Sequence, residues 1–421
     1  MKELKEEWQE VRLGDVVDFN PTEKLIKGNN YKKVPMDCLI PKTRKIENYE
    51  VNTFNGGSKF RNGDTLMARI TPCLENGKTA QVSILEENEI AFGSTEFIVL
   101  REKENISDNN FIYYLFNTDY IRSTAIKSMT GTSGRQRVQE DVLKNIIIKL
   151  PPLEEQKKIA SILSSLDDKI ELNNSMNKIL EETAQTIFKE WFINFNFPNE
   201  EGKPYKKNGG NMIESELGEI PEGWEVTNLD NLLSKFTTGL NPRQNFKLGE
   251  GNNYYVTIKN MNDNQIYLDN RCDKINDDAI IKINKRSDLR KNDLLFSGIG
   301  TIGRVYLINK DVTNWNISES IFTMRVNDII TPEYLYLNLL DNRMQEYALN
   351  LASGSVQKGI RMGDLKKYKM IIPKKEILIL STKIFSAIIE KVNNNFDENQ
   401  KLAGIRDSIL PKLMSGEIRI K

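Results

Sequence analysis

The chain has 421 residues, 39% hydrophobic and 28% charged, a composition that supports two or three domains with ordinary cores. Lys and Arg together number 59, as do Asp and Glu, so the formal net charge is zero and a nucleic-acid partner has to be met by local basic patches. There is no histidine, which excludes His-based triads, His metal ligands and His acid–base work.

The opening stretch "MKELKEEWQE" is charged and lacks an apolar centre, so it does not read as a signal peptide. No apolar run along the chain approaches the roughly 20 residues of a membrane span. Cys38, Cys73 and Cys272 form no CxxC pair, which suits a reducing cytoplasm and argues against a zinc site. Residues 1–150 read as a mixed α/β globular part. Within it, "PCLENGKT" (72–79) resembles a phosphate loop, but Pro72 stands where the first Gly belongs, and the segments on either side are strand-like. "GTSGRQR" (131–137) is a basic loop with small residues, able to approach a duplex closely.

"LPPL" (150–153) lacks the polar and aromatic flanks of an Asn/Asp-Pro-Pro-aromatic motif, and reads as a helix start. The helix it opens is expected over 151–196. Ile159, Leu166, Asn173, Leu180 and Ile187 recur every seven residues, with Ile162, Met176 and Thr183 at the intervening positions. This predicts a seam about 40 residues and roughly 60 Å long. Residues 197–222 are rich in Gly, Pro and polar side chains and read as a linker.

A second α/β part is expected over 223–372. "SGIGTIGRV" carries Gly298-x-Gly300-x-x-Gly303, the letters of a dinucleotide fingerprint, yet a strand-like segment follows where a helix is required. A Gly-rich hairpin tip is the expectation, and the corresponding first-half site is expected to keep none of these glycines. "GSVQKGIR" (354–361) is a second basic loop, followed by Lys366, Lys367 and Lys369. A second long helix is expected over 373–421. Its seam is Ser381, Ile388, Asn395, Leu402 and Ile409, with Ile384 and Ile405 between.

The chain is thus written twice. Trp8, Leu13, Val16 and Val17 meet Trp224, Leu229, Leu232 and Leu233 at an offset of 216. "FIYYL" (111–115) meets "YLYLN" (334–338) at 223, where Arg135 meets Lys358 and Asp141-Val142 meets Asp364-Leu365. The helices match at 222, which aligns Asn173 with Asn395. A buried Asn in an apolar seam fixes register. Antiparallel helices would bring these two residues together.

"LPPLEEQKKIASILSSLDDKIELNN", "FPNEEGKPYKKNGG", "ELGEIPEGW", "SGSVQKGIRMGDLKK" and "SILPKLMSGEIRI" together resemble the specificity subunit of type I restriction–modification enzymes, over essentially the whole chain. The resemblance implies a mixed α/β fold of two pseudo-repeated target-recognition domains separated by two long antiparallel coiled-coil helices. Each domain would read one half of a split double-stranded DNA sequence, and the helices would set the gap. Modification subunits carrying S-adenosylmethionine would dock on this chain, and restriction subunits carrying ATP and Mg would join through them. The chain itself would be non-catalytic, cytoplasmic and without cofactor, metal or membrane. The alternative from another class is a self-contained DNA enzyme such as a fused adenine methyltransferase.

The candidate DNA contacts lie in the two basic loops, in the two turns described above and at one further Arg. In the first half they are Arg69, Thr71, Lys78, Thr132, Ser133, Arg135, Gln136 and Arg137. In the second they are Arg243, Ser297, Thr301, Arg304, Ser355, Gln357, Lys358 and Arg361. Arg and Lys can meet phosphates or guanine, and Gln can meet an adenine edge.

Overall fold

The computed structural model describes residues 7–354 and 358–420. The chain divides into two compact units, Met1–Asn173 with Asp397–Lys421, and Asn174–Phe396. The division falls inside both long helices, Leu153–Phe188 and Lys375–Met414, so each unit holds a segment of each.

In the first unit a four-stranded sheet has the order Val17–Phe19, Phe97–Glu102, Thr65–Ala68, Thr79–Gln81, all antiparallel. A second sheet runs Glu50–Thr53, Asn30–Val34, Ala91–Gly93, Ser58–Phe60, with its middle pair parallel. Gln9–Arg12 pairs with Ile147–Leu150 just before the long helix begins. The second unit repeats the first sheet as Leu233–Thr238, Ile321–Val326, Leu294–Ser297, Val305–Leu307. Its other sheet is Asp273–Ile275, Asn253–Val256, Trp315–Ile317, and again one pair is parallel. Glu225–Asn228 pairs with Lys369–Ile372, as the equivalent ribbon does in the first unit.

The repeat extends to helix starts. Asp108 caps Asn109–Phe116 by accepting from the Phe111 N–H, and Thr331 caps Pro332–Leu340 by accepting from Tyr334. These helices bury Phe111 and Tyr114, and Tyr334 and Leu337, against the helix segments of their own unit. In the first unit Ile159 and Leu163 pack with Leu410, Leu413 and Met414. In the second, Ala184 and Phe188 pack with Leu378 and Phe385. Within each unit the segments run antiparallel: Asp167 meets Arg406 and Asn173 meets Asn399, while Asn177 meets Asn395 and Val392.

Two expectations about the helices are corrected. The first concerns the seam. Of the positions seven apart, Ile159, Asn173, Ser381 and Asn395 are buried and the other six are half-buried, and the buried partners lie four residues on, while Met176 and Ile384, three on, are half-buried. Leu163, Asn177, Ala184, Phe385, Val392, Asn399 and Leu413 face inward, whereas Ile162 and Ile405 are 40% and 50% exposed and Thr183 is exposed. A seven-residue repeat allows either step, and large Ile side chains favoured the wrong one. The second concerns Asn173 and Asn395, which do not pair with each other. Asn173 Nδ2 donates to Asn399 Oδ1 at 2.9 Å and to Glu398 at 2.8 Å, and its Oδ1 accepts from Lys169 at 3.0 Å. Asn395 Nδ2 donates to Asn177 Oδ1 at 2.8 Å. At the 222 offset these are the same pair with the helices exchanged.

The Gly/Pro-rich connection is folded. Phe197 stacks on Tyr205 at 4.6 Å and on Trp224 at 5.0 Å, and Met212–Ser215 forms a hairpin with Gly218–Pro221. Its aromatic residues outweigh the turn formers that marked it as a linker.

Candidate nucleic-acid interface

The loops singled out in the sequence are joined in pairs. In the first unit the chain leaves the Thr65–Ala68 strand through Arg69–Thr71. The Val138 N–H donates to Arg69 O at 2.9 Å and the Thr71 N–H to Gln136 O at 3.0 Å, with an Ile70–Arg137 bridge between. In the second unit the Ile360 N–H donates to Gly298 O at 2.8 Å and the Gly300 N–H to Lys358 O at 2.8 Å, around an Ile299–Gly359 bridge. Each loop also closes on itself, Thr130 with Arg137 and Ser353 with Gly359. The two units therefore share one backbone joint at which different side chains are displayed.

The joint refines the repeat. Lys358 occupies the place of Gln136, at an offset of 222, and not that of Arg135. Gly303 also has a first-half counterpart, against expectation. The Ala68 N–H donates to Lys78 O and the Ser297 N–H to Arg304 O, so Gly77 and Gly303 hold equivalent turn positions, with φ of 83° and 93°. Both turns link antiparallel strands, so the Gly-rich segment is a hairpin, as its flanks predicted.

The candidate side chains sort into three groups. Thr132, Ser133 and Arg135 are exposed at the tip of the first loop, as are Lys358, Arg361 and Thr301 in the second unit. Arg243 is exposed on the turn Pro242–Gln244, whose Asn241 cap donates to Glu319 at 2.6 Å beside the joint. A second group is half-buried at the joint: Arg69, Thr71, Gln136 and Arg137. Arg137 is gripped by Glu96, with Nε 2.9 Å from Oε2 and Nη2 2.6 Å from Oε1, and Arg69 Nε lies 3.8 Å from the same carboxylate. The hydrogen bond from Arg137 holds the Glu96 carboxyl below the usual carboxylate range.

The third group leaves the candidate set. Ser297 is 0% exposed and its Oγ accepts from the Arg304 N–H at 2.7 Å. Lys78 Nζ donates to Met36 O at 2.8 Å, and Arg304 Nη1 donates to Ile258 O at 2.8 Å and to Met261 O. Met36 and Ile258 open equivalent 3-10 turns, so Lys78 and Arg304 do one job in both units: a cation binds the first carbonyl of the turn. Ser355 and Gln357 lie outside the described residues.

Sequence reasoning missed Glu96 and one repeated ion pair. Arg101 grips the buried Asp64 through Nε and Nη2, both at 2.7 Å, and Arg325 grips Asp293 at 2.7 and 2.8 Å. The signal was present: "RNGD" (61–64) and "RKND" (290–293) precede equivalent strands at an offset of 229. No group of three or more metal-ligating side chains is gathered among the described residues, and no described helix is long and apolar enough to cross a membrane.

The sequence matches the family described as type I restriction modification DNA specificity domain twice, over residues 5–182 and 221–405. The chain belongs to this family. It is 27% identical to the type I restriction enzyme HindI specificity subunit of Haemophilus influenzae, over 98% of this chain and 100% of that protein. It is 30% identical to the MjaIX specificity subunit of Methanocaldococcus jannaschii, over 74% and 70%. The crystal structure of the type I restriction-modification system S subunit from M. genitalium shares the fold, with a TM-score of 0.55 at 16% identity over 98% of each chain. The two copies of the specificity domain are the two repeats found in the sequence, and each contains one of the loop joints.

Proposed function

We propose that this chain reads DNA sequence for a type I restriction–modification complex, each unit recognising one half of a bipartite, asymmetric target. The observation that carries this is the repeated joint: one backbone scaffold, with Arg135, Gln136 and Arg137 on one copy and Lys358, Gly359 and Arg361 on the other. A shared scaffold with divergent side chains gives the same docking geometry and different base preferences. In this reading the target-recognition domains span 1–150 and 223–372. The helical segments 151–196 and 373–421 set the gap and dock modification subunits, and restriction subunits join through those. The chain is non-catalytic and cytoplasmic. S-adenosylmethionine, ATP and Mg belong to the partner subunits.

A self-contained methyltransferase finds no support, because both matched ranges are the specificity domain. The methylated motif of cells carrying the complete system tests the reading. Two different half-sites separated by unspecified bases are expected. A contiguous or perfectly palindromic motif would overturn it.

A further inference from the structure

Arg137 is fixed at both ends. Its backbone is bonded to Thr130 in both directions, at 3.0 and 2.9 Å, and bridges Ile70. Its guanidinium is held along the Nε–Nη2 edge by Glu96. Glu96 is anchored in turn, with its N–H on Ser94 Oγ at 3.1 Å and its carbonyl accepting from the Arg69 N–H at 2.9 Å. No protein partner engages Arg137 Nη1 among the described residues, and the side chain stays 42% exposed. A guanidinium gripped on one edge keeps its Nη1–Nη2 end as a paired donor, the geometry that matches O6 and N7 of guanine. The second unit has Ser320 and Gly359 at the corresponding places and so has no such pair.

We propose that Glu96 is a positioning residue for DNA reading: it orients Arg137 for end-on, bidentate contact with one guanine in the half-site read by the first unit. This rests on the reading above that loop 130–138 meets DNA. Fixing the fork before binding removes the rotamer freedom that a lone surface Arg would lose on contact. The carboxylate also opposes phosphate, so it disfavours non-specific docking of the same Arg.

The test uses the full chain assembled with its modification subunits, on duplexes carrying each base pair in turn at every position of the target. Arg137→Ala should remove the preference for one G·C pair in one half-site. Arg137→Lys should remove it too, since it keeps the charge but not the fork. Glu96→Gln should lower discrimination at that same pair by roughly fivefold or more, with the other half-site unchanged and non-specific affinity equal or higher. In the Arg137→Ala background, Glu96→Gln should change that discrimination less than about twofold, which a merely structural role would not produce. If Arg137→Ala loses the preference while Glu96→Gln keeps it, the inference fails and the reading stands. A Glu96→Gln variant that weakens binding to all sequences alike also overturns the inference. Retention of the guanine by Arg137→Lys overturns the end-on contact. An Arg137→Ala complex with unchanged affinity and specificity removes this loop from the interface, and the inference with it.

Discussion

Tyr114, Asp167 and Arg406 form a buried polar chain in the first unit. The Tyr114 hydroxyl donates to Asp167 Oδ2 at 2.5 Å, and Arg406 Nη1 donates to Asp167 Oδ1. Burial, and then the Asp167 charge, push the Tyr114 phenol well above its ordinary range. At the repeat offsets the second unit places Leu337, Ile389 and Ala184 there, so the protein contains an apolar version of its own network. Removing Asp167 takes the partner of the buried Tyr114 hydroxyl and leaves Arg406 to the exposed Asp407, whereas an apolar triad needs no partners. Asp167→Ala should therefore destabilise by about 3 kcal/mol. The triple variant Tyr114→Leu, Asp167→Ile, Arg406→Ala should recover most of that loss. Urea midpoints of the three proteins check this, and a triple variant no more stable than Asp167→Ala would show that the surrounding packing differs between the units. None of this was visible locally, because Tyr114, Asp167 and Arg406 are far apart in sequence.

The long helices are attached to each unit by different chemistry at equivalent places. Arg44, buried, holds Glu171 through Nε and Nη2 at 3.0 Å and also reaches Asp168. Gln265 donates to Asn393 at 3.1 Å, and Asn393 lies 222 residues beyond Glu171. The register of the helix pair is fixed by Asn173 with Asn399 and by Asn177 with Asn395. Asn173→Leu takes a partner from Asn399, from Glu398 and from Lys169, and should cost ~1–3 kcal/mol. Adding Asn399→Leu should recover much of this while weakening register specificity. A double-mutant cycle read by denaturation should find coupling between 173 and 399 and none between 173 and 395. Coupling to 395 would mean that the seam is aligned differently in solution. The sequence marked Asn173 and Asn395 as special because both interrupt an apolar repeat. It could not pair them, because antiparallel contact depends on the sum of two positions, and that sum is set by where both helices dock.

At the scale of the molecule, the proposed reading makes helix length a determinant of the gap between half-sites. The pairs between the two helices dictate how to test it. Seven residues added to one helix alone would separate Asp167 from Arg406 or Asn173 from Asn399. The insertion has to be made in both, between Glu171 and Asn173, which leaves the Arg44 contacts in place, and between Asn399 and Arg406. A heptad in each keeps the seam in phase and adds about 10 Å of helix. The unspecified gap in the methylated motif should grow by about three base pairs, with the half-site sequences unchanged. An unchanged gap in an active complex would show that these helices do not space the half-sites.

By itself the sequence determined that there are two copies of one α/β fold, that each leads into a long helix, and that the Gly-rich and basic segments are loops. These are local or linear properties: a period of seven, a repeat in held order whose offset drifts by only a few residues, Pro and Gly at strand ends. The tertiary structure alone decided which side chains those loops present. Lys78, Arg304 and Ser297 looked like surface donors in the string, yet they hold turn carbonyls and a strand end. Glu96 looked like one more acidic residue, yet it is the partner that orients Arg137. The same limit applied to the seam, where a heptad permits steps of three or four and only packing selected four. Apart from Ser297, whose partner Arg304 is seven residues on, the outcome depends on a neighbour tens to hundreds of residues away, brought close by sheet pairing and antiparallel helix contact, and no local pattern encodes that partner.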